Sequence, residues 1–121
     1  MRRHTISFKH ALAGLAYAFA SQPNFRFHLA TAAVVSLAGW YFRLPRTDWL
    51  ILIFTFTWMI TVELINTSLE AIVDLVSPQI HPLAKIAKDT AAGLVLFSAL
   101  GAIAVGLLIF LPRFLSLLNY Q

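Results

Sequence analysis

Long apolar runs alternate with short polar interruptions along the chain, and the interruptions mark out the elements. Thr90 to Pro112 carries no charge over 23 residues, which meets the ~20 apolar residues a membrane-spanning helix needs. Lys88 and Asp89 precede this run, and Pro112-Arg113 is expected to close it. A second run starts at Trp49 and is unbroken to Val62, after which helical spacing continues through Glu63, Asn66, Glu70 and Asp74 to Ser77-Pro78. Trp49 to Val76 is 28 residues, or roughly 42 Å at ~1.5 Å per residue. The hydrocarbon core is only about 30 Å thick. This helix therefore projects about two turns beyond the membrane, and its polar residues place the projection at the C-terminal end. A third run, Leu29 to Phe42, is at the short limit for a span and ends in Trp40 and Tyr41, residue types that favour the interface. The spacing predicts transmembrane helices over 26–43, 48–76 and 88–112, with Pro45, Arg46 and Asp48 in the turn between the first two.

Residues 1–24 follow a different pattern. Arg2, Arg3 and His4 precede the apolar stretch Ala11 to Ala20, and Ala18-Phe19-Ala20 resembles a signal-peptidase site. However, Lys9 and His10 crowd that stretch, and Phe8, Leu12, Leu15 and Phe19 recur on one helical face. That favours an amphipathic helix lying in the membrane interface. The expected fold is an all-α integral membrane protein. It is one domain over 1–121, with no internal repeat, low-complexity stretch or linker.

Composition sharpens this picture. Hydrophobic residues make up 60% and charged residues 12%, against ~45–50% and ~25% in soluble domains, which argues against a free-standing soluble globule. Cysteine is absent, so disulfide scaffolds, Cys-ligated metals and thiol nucleophiles are excluded. The net charge of +4 is not gathered into a patch, so it points to anionic lipid rather than nucleic acid. Arg2, Arg3, Lys9, Arg26, Lys85 and Lys88 fall on one side of the predicted spans, and Arg43, Arg46 and Arg113 on the other. The larger group places the N-terminus and the 77–88 loop in the cytoplasm.

Four of the five acids are Glu63, Glu70, Asp74 and Asp89. At ~100° per residue, Glu63, Thr67, Glu70 and Asp74 fall within about 60° of one another, with Asn66 beside them. A ~30 Å slab beginning at Trp49 ends near Leu69, which leaves Glu63 about 9 Å inside the cytoplasmic boundary. A carboxylate at that depth is expensive and defaults to a functional hypothesis. Two plain readings stand beside it. The acids can simply pair with Lys85, Lys88 and Arg26 to glue helices, and Lys85 with Asp89 fits a solvated i, i+4 pair. The functional reading is a polyphosphate site built from His81, Lys85, Lys88 and a metal-binding carboxylate. No G-x-x-x-x-G-K-[ST] loop and no protein-kinase catalytic loop occurs. Phosphoryl transfer still needs charge neutralisation, alignment and a proton acceptor. Glu70 with magnesium and Lys88 suit the first need. Glu63 can meet the hydroxyl of a lipid that does not leave the bilayer.

Glu63-Leu64-Ile65-Asn66-Thr67-Ser68-Leu69-Glu70-Ala71-Ile72-Val73-Asp74 resembles the E-x-x-N-[ST]-x-[IL]-E-x-x-x-D signature of the prokaryotic diacylglycerol kinase family. His81-Pro82-Leu83-Ala84-Lys85-Ile86-Ala87-Lys88-Asp89 and Ala91-Ala92-Gly93 extend the likeness, as do Ser7-Phe8 and Asn24-Phe25-Arg26-Phe27-His28. H-P-L-A-K-x-A-K-D is similar to the Gram-positive-type branch, whose members phosphorylate undecaprenol. The similarity runs from about Ser7 to Arg113.

The resemblance implies a bacterial plasma-membrane lipid kinase with an N-terminal amphipathic helix and three transmembrane helices, assembled as a homotrimer with shared active sites and using Mg-ATP. It implies Glu63 as the general base facing the lipid hydroxyl, Asn66 beside it, and Glu70 as a metal ligand at the nucleotide. Gln79, Ile80, His81, Lys88 and Asp89 match nucleotide-contacting positions, and His10 and Arg3 fall where further nucleotide contacts lie. Gln22 stands where the family often has a second metal-binding glutamate. Glutamine offers a neutral oxygen where magnesium prefers a charged one.

The expected activity is ATP-dependent phosphorylation of a membrane lipid alcohol, undecaprenol ahead of diacylglycerol. An alternative of another class is a non-catalytic membrane subunit whose acidic stripe carries protons or holds a partner helix. That alternative does not require Lys88-Asp89 placed after His81, whereas an ATP site does.

Overall fold

The computed structural model describes residues 8–119, and all regular structure among them is helical: α1 (Phe8–Ser21), α2 (Pro23–Tyr41), α3 (Arg46–Val76) and α4 (Pro82–Leu118). α3 and α4 are the two described helices long and apolar enough to cross a membrane. At 31 and 37 residues they reach roughly 46 and 55 Å at ~1.5 Å per residue. α2 has 19 residues. Its length suits a span, but Asn24, Arg26 and His28 make its first two turns polar, and it is not among the strongly apolar helices.

Each helix boundary has a local cause. Gln22 is extended backbone, and Pro23 then starts α2 where its missing N–H costs no helical hydrogen bond. The far end of α2 is a Schellman turn: Leu44 N–H donates to Gly39 O (3.0 Å) and Arg43 N–H to Trp40 O (3.1 Å). Arg43 takes the left-handed position, with φ 50°. Pro45 precedes α3, so the turn expected to include Arg46 and Asp48 is shorter and both residues are already helical. Pro78 and Pro82 frame the next connection, and His81 caps α4 by accepting the Leu83 N–H at Nδ1 (3.1 Å).

Pro112 does not end α4, which continues to Leu118. Proline removes one helical hydrogen bond, a loss that neighbouring groups can offset within a membrane. The bond lost is the one to Leu108 O; the turn around it is held instead by Arg113, which brings one guanidinium nitrogen back onto Ile109 O and gives another to Asp48 Oδ2 at 2.7 Å.

α3 and α4 pack along each other as an antiparallel pair. Three polar contacts tie them: Asp48 with Arg113 at one end, Trp58 Nε1–H to Ser98 Oγ (3.0 Å) in the middle, and Asp74 with Lys88 at the other end. The apolar core around Leu44, Leu52 and Ile109 sits near the Asp48 end, with Trp49, Phe56 and Phe110 against it. α2 lies against α3 but makes no helix-to-helix approach to α4. Side chains still meet α4: Phe42, just past α2, is edge-on to Phe114, and Val35 packs against the core that includes Ile109.

α1 touches α2 and α3. Ala18 is its one buried residue, and Phe8, Leu12, Leu15 and Phe19 are all exposed. Arg26 holds the corner between α1 and α2 by donating to Phe19 O (2.9 Å) and Ala20 O (3.0 Å). These are carbonyls the end of α1 leaves without amide partners.

Candidate active site

The acidic stripe of α3 divides into a buried part and an exposed part. Glu63 is 1% exposed, and Asn66 and Thr67 are also buried. Thr67 Oγ1–H donates to Glu63 O one turn back (2.9 Å), which fixes the hydroxyl locally. Glu63 Oε1 lies 3.2 Å from His28 Nε2 on α2. The approach is close but off the N–H axis, so Oε1 has no aligned hydrogen bond. Asn66 Nδ2–H donates to Glu70 Oε1 (3.2 Å), and Asn66 Oδ1 is buried without a partner. Two buried acceptors, one on Glu63 and one on Asn66, thus stand one turn apart awaiting a donor or a cation. Native structures rarely leave such atoms unpaired without a functional reason.

The second part of the site lies where α3 ends and α4 begins. Asp74, Gln79, Ile80, His81, Lys85, Lys88 and Asp89 line one cavity of about 280 Å³. The loop and the first two turns of α4 therefore bring together all five nucleotide positions expected over 79–89. Their charges are already engaged: Lys88 pairs with Asp74 and Lys85 with Asp89. The i, i+4 pairing of Lys85 with Asp89 fits the plain reading of a solvated pair, since both side chains are more than half exposed. Because His81 Nδ1 accepts from Leu83, a neutral His81 ring carries its hydrogen on Nε2.

Other expected positions stand apart. Gln22 is half-buried at the start of α2, and its amide donates to Ser21 Oγ (3.3 Å) rather than meeting Glu70. His10 is exposed on α1. Arg3 lies outside the described residues. Among the described residues no three His, Asp or Glu side chains converge as a metal-binding cluster. Arg26, a candidate partner for the acids, instead binds the end of α1.

An apolar cavity of about 330 Å³ opens between α2 and α4 over the face of α3. Val35, Leu52 and Phe56 line its body, and His28, Met59 and Ile60 line the end nearest Glu63. His28 stands in the Asn24–His28 segment, but the sequence pattern assigns it no role at the site. The available signal was an ionisable side chain two residues after Arg26, at the edge of an apolar run.

Residues 9–110 match the family described as prokaryotic diacylglycerol kinase. A Synechocystis protein named Diacylglycerol kinase is 46% identical over 114 residues, which cover 93% of this chain and 65% of that protein. A Bacillus subtilis protein named Undecaprenol kinase is 41% identical over 113 residues, covering 93% of this chain and 92% of that one. A Helicobacter pylori protein named Diacylglycerol kinase is 35% identical over 79 residues, 65% of this chain and 62% of its own length. With its acidic stripe, its loop of histidine and lysines and these relatives, the chain belongs to the prokaryotic diacylglycerol kinase family and, with it, to the lipid kinases.

Proposed function

We propose that the chain transfers the γ-phosphoryl group of ATP to the hydroxyl of a membrane lipid alcohol, most readily undecaprenol, with diacylglycerol as the second choice. The observation that carries this reading is Glu63: a buried carboxylate with one unbonded oxygen, one turn beyond Met59 at the end of an apolar cavity. A lipid with its chain in that cavity presents its hydroxyl to this carboxylate. The choice of undecaprenol is supported by the match to nearly the full length of the B. subtilis Undecaprenol kinase and by the H-P-L-A-K-x-A-K-D segment.

The polar cavity supplies the nucleotide side. Lys88 and Lys85 offer ammonium groups, and His81 offers its Nε2–H to a phosphate oxygen. Gln79 and Ile80 shape the wall, and Asp89 sets the position of Lys85. His10 and Arg3 are proposed as outer nucleotide contacts. Magnesium suits the oxygen set of Glu70 and Asn66 Oδ1, because it is held by one or two protein oxygens and otherwise by phosphates and water. When bound, it offsets the negative charge of the phosphates. Gln22 is the proposed further ligand.

In this reading α2 is the third membrane span and α1 lies in the interface, with the N-terminus and the site facing the cytoplasm of a bacterial plasma membrane. Assembly is as a homotrimer with shared sites. Support comes from α4, where Gly93 and Gly101 border open space and few side chains are buried.

Purified protein incubated with γ-labelled ATP, magnesium and mixed lipid alcohols tests the proposal. Label should appear in polyprenyl phosphate. Label confined to ATP and free phosphate would overturn it, and label confined to phosphatidic acid would reverse the substrate order.

A further inference from the structure

Glu63 is buried deeply enough that its charge needs a partner. Among the described residues no lysine or arginine lies within 4 Å of its carboxylate, and His28 alone fills that place. The neighbouring cations are committed elsewhere: Arg26 to the carbonyls of α1 and Lys88 to Asp74. His28 comes from a different helix, so its position depends on how α2 packs on α3. Its ring meets Phe27 edge-on, with centroids 5.6 Å apart, and it also forms part of the wall of the apolar cavity. One side chain therefore touches both the carboxylate and the space proposed for the lipid.

We infer that His28 is a positioning residue: it holds the Glu63 carboxylate by one oxygen so that the other faces a lipid hydroxyl at the end of the cavity. The inference rests on the lipid-kinase reading and on Glu63 as the base. A carboxylate accepts but does not donate, so the His28 nitrogen facing it carries the hydrogen. At 3.2 Å from Oε1, the ring needs only a small turn to align that N–H. In the reaction, the lipid hydroxyl proton passes to the free Glu63 oxygen. The alcohol oxygen forms a bond to the γ-phosphorus, and the bond from that phosphorus to the β–γ bridging oxygen breaks. ADP leaves with the electron pair, and the proton on Glu63 returns to water after the lipid phosphate departs. His28 neither gains nor loses a proton in this sequence. It restrains the base, an alignment whose loss costs up to ~10²-fold when a reacting group moves by about 1 Å.

The test compares His28→Gln, which retains an N–H donor, with His28→Met, which fills similar space without one, in full-length protein with the lipid alcohol and Mg-ATP. His28→Met should lower kcat by roughly tenfold to a hundredfold and leave the KM for ATP within about twofold. His28→Gln should recover most of that loss. In a Glu63→Gln background, His28→Met should add no more than about twofold, because it acts only through Glu63. Equal losses in the two His28 variants, wild-type kcat in His28→Met, or a loss that multiplies in the double variant would overturn the inference while leaving the kinase reading in place. Wild-type turnover in Glu63→Gln would remove Glu63 as the base and overturn the inference with it, again leaving the kinase reading in place, whereas absence of label from lipid with the unsubstituted protein would sink the kinase reading.

Discussion

Lys88 on α4 and Asp74 on α3 close an ion pair across the loop that joins the helices, and both side chains are substantially exposed. Exposed pairs of this kind contribute only ~0–1 kcal/mol to stability. Releasing Lys88 from Asp74 to another anion therefore costs little. Asp74→Asn should change thermal stability by under about 1 kcal/mol, whereas Lys88→Met should lower kcat/KM for ATP at least about tenfold. Thermal denaturation in detergent beside ATP kinetics checks this. Equal effects of the two substitutions on ATP kinetics would count against a phosphate role for Lys88.

Glu63→Gln removes a buried charge while preserving shape. Turnover should fall by ~10²-fold or more, with the protein still folded and no less stable, since one desolvated charge has gone. Near-normal turnover, measured with the labelled lipid product, would remove Glu63 from the catalytic role.

Gln22→Glu adds a charged oxygen at the start of α2. If that position serves the metal, the magnesium concentration for half-maximal activity should fall severalfold, and Glu70→Gln should raise it sharply or abolish activity. A magnesium titration unchanged by Gln22→Glu would leave Gln22 as a polar residue at a helix junction.

The charge distribution predicts a cytoplasmic N-terminus and, after three crossings, a C-terminus on the other side. Reporters fused at each end should read inside and outside, respectively. A cytoplasmic reading after Gln121 would mean an even number of crossings.

Gly39 is buried, and a Cβ there would come within 2.9 Å of the Trp49 ring and 3.0 Å of Leu44. Gly39→Ala should cost roughly 1–3 kcal/mol through overpacking, and Trp49→Phe should recover part of it. Melting temperatures of the single and double variants decide this.

Periodicity made the α3 stripe legible, because Glu63, Asn66, Glu70 and Asp74 repeat at helical spacing and their order is a property of one helix. Gln79, Ile80, His81, Lys88 and Asp89 are marked in the sequence by the family resemblance, and the short connection between α3 and α4 gathers them around one cavity. Pro112 was misread as a stop. Proline weakens any helix, but the contact of Arg113 with Asp48 on α3 holds the next turn by tertiary packing, beside the local contact of Arg113 with Ile109 O. Arg26 looked like a partner for the acids until the corner at Ser21 and Gln22 brought the end of α1 within its reach. His28 escaped notice because its meaning lies in the packing of α2 on α3, and spacing within one helix carries no trace of that.

The three polar ties between α3 and α4 are spaced along the whole pair, so sliding or splaying would break contacts at both ends at once. That pair is the fixed frame of the molecule. α2 is fastened differently: its outer end is anchored by the turn through Leu44 and by Phe42 on α4, and at its inner end Arg26 fastens it to α1. The cavity therefore has one wall tied along its whole length and one wall, α2, tied by a turn at its outer end and by Arg26 and the His28–Glu63 approach at its inner end. Because Arg26 joins the inner end of α2 to the last turn of α1, any displacement of α1 is carried to the wall of the cavity that holds His28.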